Sequence, residues 1–439
     1  MEPIGSLPAG SVQSEPSHGS SDRKRSGMAA EHGPSSVVDE DANLDWLILG
    51  GGIHGVHIAA RLIGEAGVDP DRLRIVDPGR RLLERWRSCT ATTGMTHLRS
   101  ASVHHLDLDP WSLQRFAGTR RNRKPGLFAF PYDRPAISLF DAHCERVIET
   151  FELDNLHVQA RAMTCSVDCD GVGVRLSNGG EIAADHVVLA LGASDQPAWP
   201  DWAPRGNSRV HHVFAPGFDG WPSSAETVIV VGGGISAGQV ALRLFDEGHR
   251  VHVVSRHPLR THQFDSDPGW LGPKYMASFS RERDFDRRRE MITEARHPGS
   301  MPPDVLRALR RRITEEQLHW HEGNVEALDA GGECLAMRLA NGTILQAQRV
   351  LLATGFASHR PGGALVDQLV TSALLPCARC GYPVVDAALR WHPRVHVSGP
   401  LAELELGPAS RNIAGARRAG DRLVEALRSN RATPASRAS

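Results

Sequence analysis

Two segments of this chain follow the same plan, and few folds satisfy both. Leu44-Asp45-Trp46-Leu47-Ile48-Leu49 reads as a short buried strand, runs into Gly50-Gly51-Gly52-Ile53-His54-Gly55, and continues as Val56 to Ile63 with one apolar helical face. Near the middle, Thr227-Val228-Ile229-Val230-Val231 leads into Gly232-Gly233-Gly234-Ile235-Ser236-Ala237-Gly238 and a helix from Gln239 to Phe245. The duplication extends past the glycines. Leu176-Ser177-Asn178-Gly179 with Val187 to Gly192 is echoed by Leu339-Ala340-Asn341-Gly342 with Val350 to Gly355. Each half therefore reads as strand, glycine turn and helix plus a returning β-hairpin. The expected fold class is α/β, with two Rossmann-like dinucleotide-binding domains.

Glycine is the residue type that such turns need. A first Gly permits the tight turn, a second lets a pyrophosphate approach the backbone, and a third lets the helix pack close to the strand. Gly50, Gly52 and Gly55 fill those places in the first unit; Gly232 and Gly234 fill two in the second, where Ala237 takes the third place after Ser236. The helix behind each turn offers unpaired N–H groups and a positive dipole end to phosphate. His54 lies inside the first turn, within reach of a bound pyrophosphate or flavin. The next strand, Leu73-Arg74-Ile75-Val76, ends in Asp77, about where a dinucleotide fold puts the acid that holds a ribose diol. Its charge would repel a 2′-phosphate. The corresponding strand of the second unit is followed by Ser255-Arg256-His257, and arginine there favours a 2′-phosphate. The expected cofactors are FAD at the first turn and NADPH at the second.

Length and charge bound the rest. The 439 residues allow two or three domains. With 50 Lys plus Arg against 51 Asp plus Glu, the chain lacks the concentrated basic surface that a nucleic-acid or anionic-membrane partner needs. It has no run of about 18 apolar residues, so no membrane span is expected. Seven cysteines are an odd and sparse set, which suits a reducing cytoplasm better than a disulfide framework. Residues 1–42, rich in Ser, Gly, Pro and charge, and residues 429–439 are expected to be disordered tails. The oligomeric state is left open.

With these motifs the sequence resembles the flavoproteins with two dinucleotide-binding domains, in particular the branch that includes flavin-containing and N-hydroxylating monooxygenases. The resemblance implies an NAD(P)H domain, 222–357, inserted into a discontinuous FAD domain, 43–210 and 358–428. It implies that Ala353-Thr354-Gly355 closes the inserted domain, and that Leu191-Gly192 is the matching strand end of the FAD half. Val395 to Val397 with Ser398-Gly399-Pro400-Leu401 is similar to the last strand and the turn where the flavin ring meets a helix, here Arg411 to Arg428. Trp86 stands where such enzymes often carry an aromatic residue beside the flavin, and Arg99 is a further candidate for flavin or nicotinamide contact. Two departures matter. Gly206, His211, His212 and Trp221 match no single register of the Baeyer-Villiger fingerprint, and the early redox cysteine pair of disulfide reductases is missing, with Cys89 alone.

Other clusters carry less. Cys377-Ala378-Arg379-Cys380 has the spacing of a dithiol or of half a zinc site, but no second ligand pair is evident and loop residues follow it. Arg281 to Arg289 and Arg307 to Arg312 have acids interleaved and read as solvated helical faces. Phe264 to Ser300 reads as an insertion suited to substrate or NADPH contacts. No acid/base constellation and no metal ligand set stands out, so no catalytic residue is named. The expectation is an NADPH-dependent FAD oxidoreductase, a monooxygenase using O2 to oxygenate a small-molecule amine or thioether. The alternatives are a reductase of a quinone or other acceptor, and a flavin-binding regulatory protein without turnover.

Overall fold

The structure, a computed structural model, describes residues 44–119 and 121–432, the side chains of 430–432 excepted. The tail expected over residues 1–42 lies outside the described residues, as do residues 433–439.

Two parallel sheets are built on the two units. The first unit supplies β1 (Leu44–Leu49), α1 (Ile53–Gly64), β2 (Leu73–Asp77), α2 (Glu84–Thr93), α3 (Ile137–Thr150), β3 (His157–Gln159), β4 (Ala162–Val167), β5 (Val172–Leu176) and β6 (Glu181–Leu189). The second supplies β7 (Val210–His212), β8 (Thr227–Val231), α4 (Ile235–Asp246), β9 (Arg250–Ser255), α5 (Pro273–Arg281), α6 (Phe285–Ala295), α7 (Pro303–Thr314) and β10 (Leu318–Glu322). A three-stranded antiparallel sheet follows, β11 (Val325–Asp329), β12 (Leu335–Leu339) and β13 (Ile344–Ala347), then β14 (Arg349–Leu352). The chain ends with α8 (Gly363–Ser372), β15 (Arg390–His392), β16 (Val395–Val397) and α9 (Ile413–Ala432).

The first sheet runs β15-β16-β6-β1-β2-β3, with the β4–β5 hairpin attached through β6; the second runs β10-β9-β8-β14-β7. Strands 390–397 thus return to the first sheet after the whole of the second has formed, so one nucleotide fold is inserted into the other. Strands β1 from Trp46 and β8 from Val228 read as unbroken apolar runs because both faces of a parallel sheet are covered. In the second unit, Ala237, Val240, Ala241 and Leu244 of α4 pack on Val228, Val230, Val251 and Val253.

Two boundaries differ from expectation. Val210–His212 pairs with β14 and belongs to the second sheet, where its Val210 joins the core under β12 and β13. The last helix runs to Ala432 rather than stopping at residue 428, so the second tail was expected too early. Its expected apolar face holds: Ile413, Ala416, Ala419 and Leu423 are all buried.

Guanidinium groups join the two halves. Arg85 donates to the carbonyls of Ser194 and Phe214, Arg243 to those of Ala91 (2.9 Å) and Thr92 (3.1 Å), and the buried Arg134 to Asp304 at 2.8 Å. Glu403, wholly buried, receives Arg289 and Arg296 from the insertion and Arg411 from the segment before α9. Burial alone would push this carboxyl up; Arg411, with Arg296 and Arg289 behind it, holds it below the usual range. Removing the carboxylate would strand three cations, so Glu403→Ala is expected to cost about 3–5 kcal/mol in urea unfolding. A loss under about 1 kcal/mol would contradict the hub.

His54, His105, His143, His212 and His396 are buried, and burial lowers each to about 4 from an ordinary 6.5. An imidazole depressed in the folded state contributes stability that is complete above its unfolded value and is lost as pH falls through the folded one. Between pH 7 and pH 5 the unfolding free energy should therefore drop by up to about 2 kcal/mol for each such imidazole, and the denaturant midpoint with it. A midpoint that stays level over that window would refute neutral burial.

Candidate functional site

The first glycine turn is defined by three strands that end level. Leu49 stands opposite both Val76 and Leu189. Gly50 leaves the strand at φ +113° and donates its N–H to Val76 O at 2.8 Å. A Cβ on Gly50 would lie 2.4 Å from Ala190 O, and one on Gly55 only 1.8 Å from Gly50 O, so neither place accepts a side chain. Gly52 is different. It caps α1 at φ −81°, which any residue adopts, and a Cβ there would meet nothing within 4 Å. That open space before a helix N-terminus is a cradle for a pyrophosphate. Beside it the Asp77 carboxylate accepts from Gly51 N–H (2.7 Å) and Gly79 N–H (2.8 Å).

The C-terminal segment closes on the same place. Ser398 N–H donates to Leu189 O at 3.0 Å, Gly399 turns at φ +66°, and Pro400 and Leu401 are buried in the short helical turn that follows. His54 Nδ1 pairs with Ser398 Oγ at 2.7 Å. Burial lowers this imidazole to about 4 against the pull of the Asn412 and Arg411 backbone, so it is neutral near pH 7. The first turn, the Gly399 turn and the start of α9 thus meet at one imidazole. Gly192, at φ +64° just beyond β6, also faces open space. These residues fit a dinucleotide.

The second turn repeats the first. Gly232 N–H donates to Val254 O at 2.9 Å, and a Cβ on Gly232 would lie 2.5 Å from Ala353 O. Ala237 is fully buried, its methyl against the turn. Here the second glycine is not open: a Cβ on Gly234 would lie 3.5 Å from Gly299 Cα and 3.9 Å from Ser300 O. The His257 ring fills the space between Gly233 and Gly299. Ser236 is half-buried in the first turn of α4, and Gly355, at φ +78°, faces open space. Arg256 is exposed and, among the described residues, has no hydrogen bond or ion pair, which leaves its charge available.

Residues 47–194 match the family described as FAD-NAD(P)-binding, and residues 124–293 match pyridine nucleotide-disulphide oxidoreductase. No curated protein matches the sequence. Among solved structures the chain is similar to an ornithine N-hydroxylase of Kutzneria sp. 744, whose structure holds reduced FAD, NADP+ and L-ornithine (14% identity, TM-score 0.71, covering 89% of this chain and 100% of that one). It is also similar to the L-lysine 6-monooxygenase of Pseudomonas syringae (17%, TM-score 0.65, covering 88% and 99%) and to the bacillithiol disulfide reductase of Bacillus cereus (16%, TM-score 0.59, covering 88% and 99%). This is the fold of the two-dinucleotide-binding-domain flavoproteins. With both family matches, the chain is an FAD- and NAD(P)H-dependent oxidoreductase.

Four of the side chains expected at the cofactors also have protein partners. Arg99 donates Nε and Nη2 to the carbonyls of Gln263, His262 and Phe264 and to Ser300 Oγ, which makes it a tie between the halves. Trp86 packs against Phe140 and donates its indole N–H to Asp141 at 3.2 Å. The Ser255 hydroxyl donates to His257 O (2.8 Å) and accepts from Trp320 (2.9 Å). Thr354 Oγ1 is bound to Ala198 O and His212.

The basic stretch 281–289 is only partly a solvated face. Arg288 enters the core to reach Leu404 O and Glu405, and Arg289 reaches Glu403. The insertion around it packs on the C-terminal segment through Trp270, Phe279, Tyr382 and Leu404. Sequence pattern missed this hub because its charges come from segments far apart in the chain.

The open space at Gly52 yields a sharp test. Gly52→Val should leave the apoprotein within about 1 kcal/mol of the parent, since no atom is displaced, yet lower FAD affinity by at least about 10-fold. Titration of apoprotein with FAD, beside urea unfolding of both forms, separates the two effects; unchanged affinity would move the pyrophosphate elsewhere.

Proposed function

We propose that this chain is an NADPH-dependent flavin monooxygenase that delivers one oxygen atom of O2 to a nucleophilic amine or thioether of a small molecule. The observation that carries the reading is the pair of matched glycine turns, one beside a fixed carboxylate and the other beside an uncommitted arginine. Likeness of fold to ornithine and lysine hydroxylases supports the same reaction class. FAD and NADPH, when bound, supply hydride transfer and oxygen activation.

The chain's own part is to hold and shield. Gly52 and the α1 N-terminus receive the flavin pyrophosphate, Asp77 its ribose diol, and Gly192 and the Gly399 turn leave room for backbone contact. The N-terminus of α9 favours negative charge on the reduced ring. Arg256 selects the 2′-phosphate of the donor. The arginine ties keep the two sites at a set separation, and a packed interface excludes water from the reacting atoms. No acid/base triad is required for that division of labour. Among the described residues no helix is long and apolar enough to cross a membrane, and the seven cysteines are free thiols, which agrees with a cytoplasmic setting.

The bacillithiol disulfide reductase among the similar folds keeps a second reading alive, a reductase that passes electrons on without inserting oxygen. Purified protein reduced anaerobically by NADPH and then mixed with O2 and a panel of amines and thioethers decides between them. Oxygenated product in step with NADPH consumed supports the monooxygenase; peroxide alone across the panel supports the reductase. Arg256→Ala should lower kcat/KM for NADPH about 10- to 100-fold while leaving NADH use and FAD retention unchanged. Equal use of the two nicotinamides by the parent would remove the role given to Arg256.

A further inference from the structure

The Cys377-Ala378-Arg379-Cys380 motif is left unused by the proposed reaction, and its surroundings are specific. It sits on a fixed turn: Gly381, at φ +80°, donates to Ala378 O (2.8 Å), Ala378 donates to Tyr382 O (2.9 Å), and Cys377 bridges Pro383 across the loop. Both thiols are partly exposed. Each has its own guanidinium. Arg360 Nη1 lies 3.6 Å from Cys377 Sγ, and Arg289, which holds Glu403, lies beside Cys380. Tyr382 anchors the turn, donating to Ser358 O (2.8 Å) and accepting from Arg411 (3.0 Å), with Arg289 over its ring. Among the described residues no group of three or more His, Cys, Asp or Glu is arranged for a metal.

Two thiols three residues apart on one hydrogen-bonded turn, each with a guanidinium nearby, have the spacing of a dithiol that exchanges within itself once one sulfur is a thiolate. We propose that Cys377 and Cys380 are a redox-active dithiol that closes to an internal disulfide by exchange with low-molecular-weight disulfides. Cys380, next to Arg289, is the entering thiol. Its thiolate attacks one sulfur of R–S–S–R, forming a mixed disulfide and releasing RS⁻. Cys377, whose thiol burial pushes up against the opposing pull of Arg360, loses its proton second. Its thiolate attacks the Cys380 sulfur and releases the second RS⁻. Two electrons pass to the small disulfide, which leaves as two thiols once it takes up the two protons. Neither nicotinamide nor oxygen enters these steps, so the proposal stands apart from the monooxygenase reading.

The test equilibrates the full chain with its flavin, without oxygen, in mixtures of reduced and oxidised glutathione, followed by alkylation, trypsin and mass spectrometry. Cleavage after Arg379 puts the two cysteines on separate peptides, so an internal disulfide is read as a linked pair that reduction separates. The linked pair should accumulate as oxidised glutathione rises, while the remaining cysteines stay alkylated. Cys377→Ser should trap glutathione on Cys380, and Arg360→Gln should slow closure at pH 7 by roughly 3- to 10-fold. Absence of the linked pair at every ratio, or separate glutathione adducts on both cysteines of the parent, would overturn the proposal.

Discussion

Two carbonyl oxygens, those of Ala190 and Ala353, lie where a Cβ of Gly50 or Gly232 would have to go. Everything else in the two nucleotide units follows from that contact. With glycine in place, the turn drops directly from strand to helix while the neighbouring strand ends alongside, and the amide of the same glycine reaches the carbonyl on its other side. Three parallel strands then finish level with a helix N-terminus, and phosphate-binding amides are exposed at one edge of the sheet. Any side chain at either glycine would push the returning strand away and open the sheet at the point where its ends must stay together.

The joint between the halves depends on a different device. Arg85, Arg99 and Arg243 donate to backbone carbonyls across it rather than to carboxylates. A guanidinium can satisfy several acceptors at once with fixed angles, so each arginine pins a loop as well as a point. The charge left over is balanced at Arg134 by Asp304 and at the insertion by Glu403. Rotating one half against the other would break several of these forks together, which is why the relative position of the two cradles belongs to the fold and not to the cofactors.

What the sequence made legible was local: the glycine turns, the paired strands, the apolar face of the last helix and the acid at the end of β2 are all read from residues close together in the chain. The protein partners of Arg99 and Ser255 were not legible because they are remote in the chain. Arg99 gives Nε and Nη2 to residues 262–264 and 300. Nothing at Ser255 announces that Trp320 and His257 will claim its hydroxyl. The Glu403 hub was hidden for the same reason: a run of alternating charges looks alike whether it faces water or a buried carboxylate elsewhere.

The remaining asymmetry concerns how the two cradles would be occupied. The first draws on three separated segments, at Gly50 to Gly55, at Asp77 and at Ser398, joined by the Gly51–Asp77 and His54–Ser398 hydrogen bonds. A ligand held by remote parts of one chain leaves only when those parts separate, and here they are joined within one sheet and by the α9 contacts. The second offers a turn already lined by Gly299 and Ser300, with its uncommitted cation out at the surface on Arg256. A ligand there is gripped mainly from one domain and near solvent, where screening weakens the charge contact. Under the proposed function, that placement favours slow release from the first and rapid exchange at the second, as a flavoprotein that is repeatedly reduced by a diffusible donor requires.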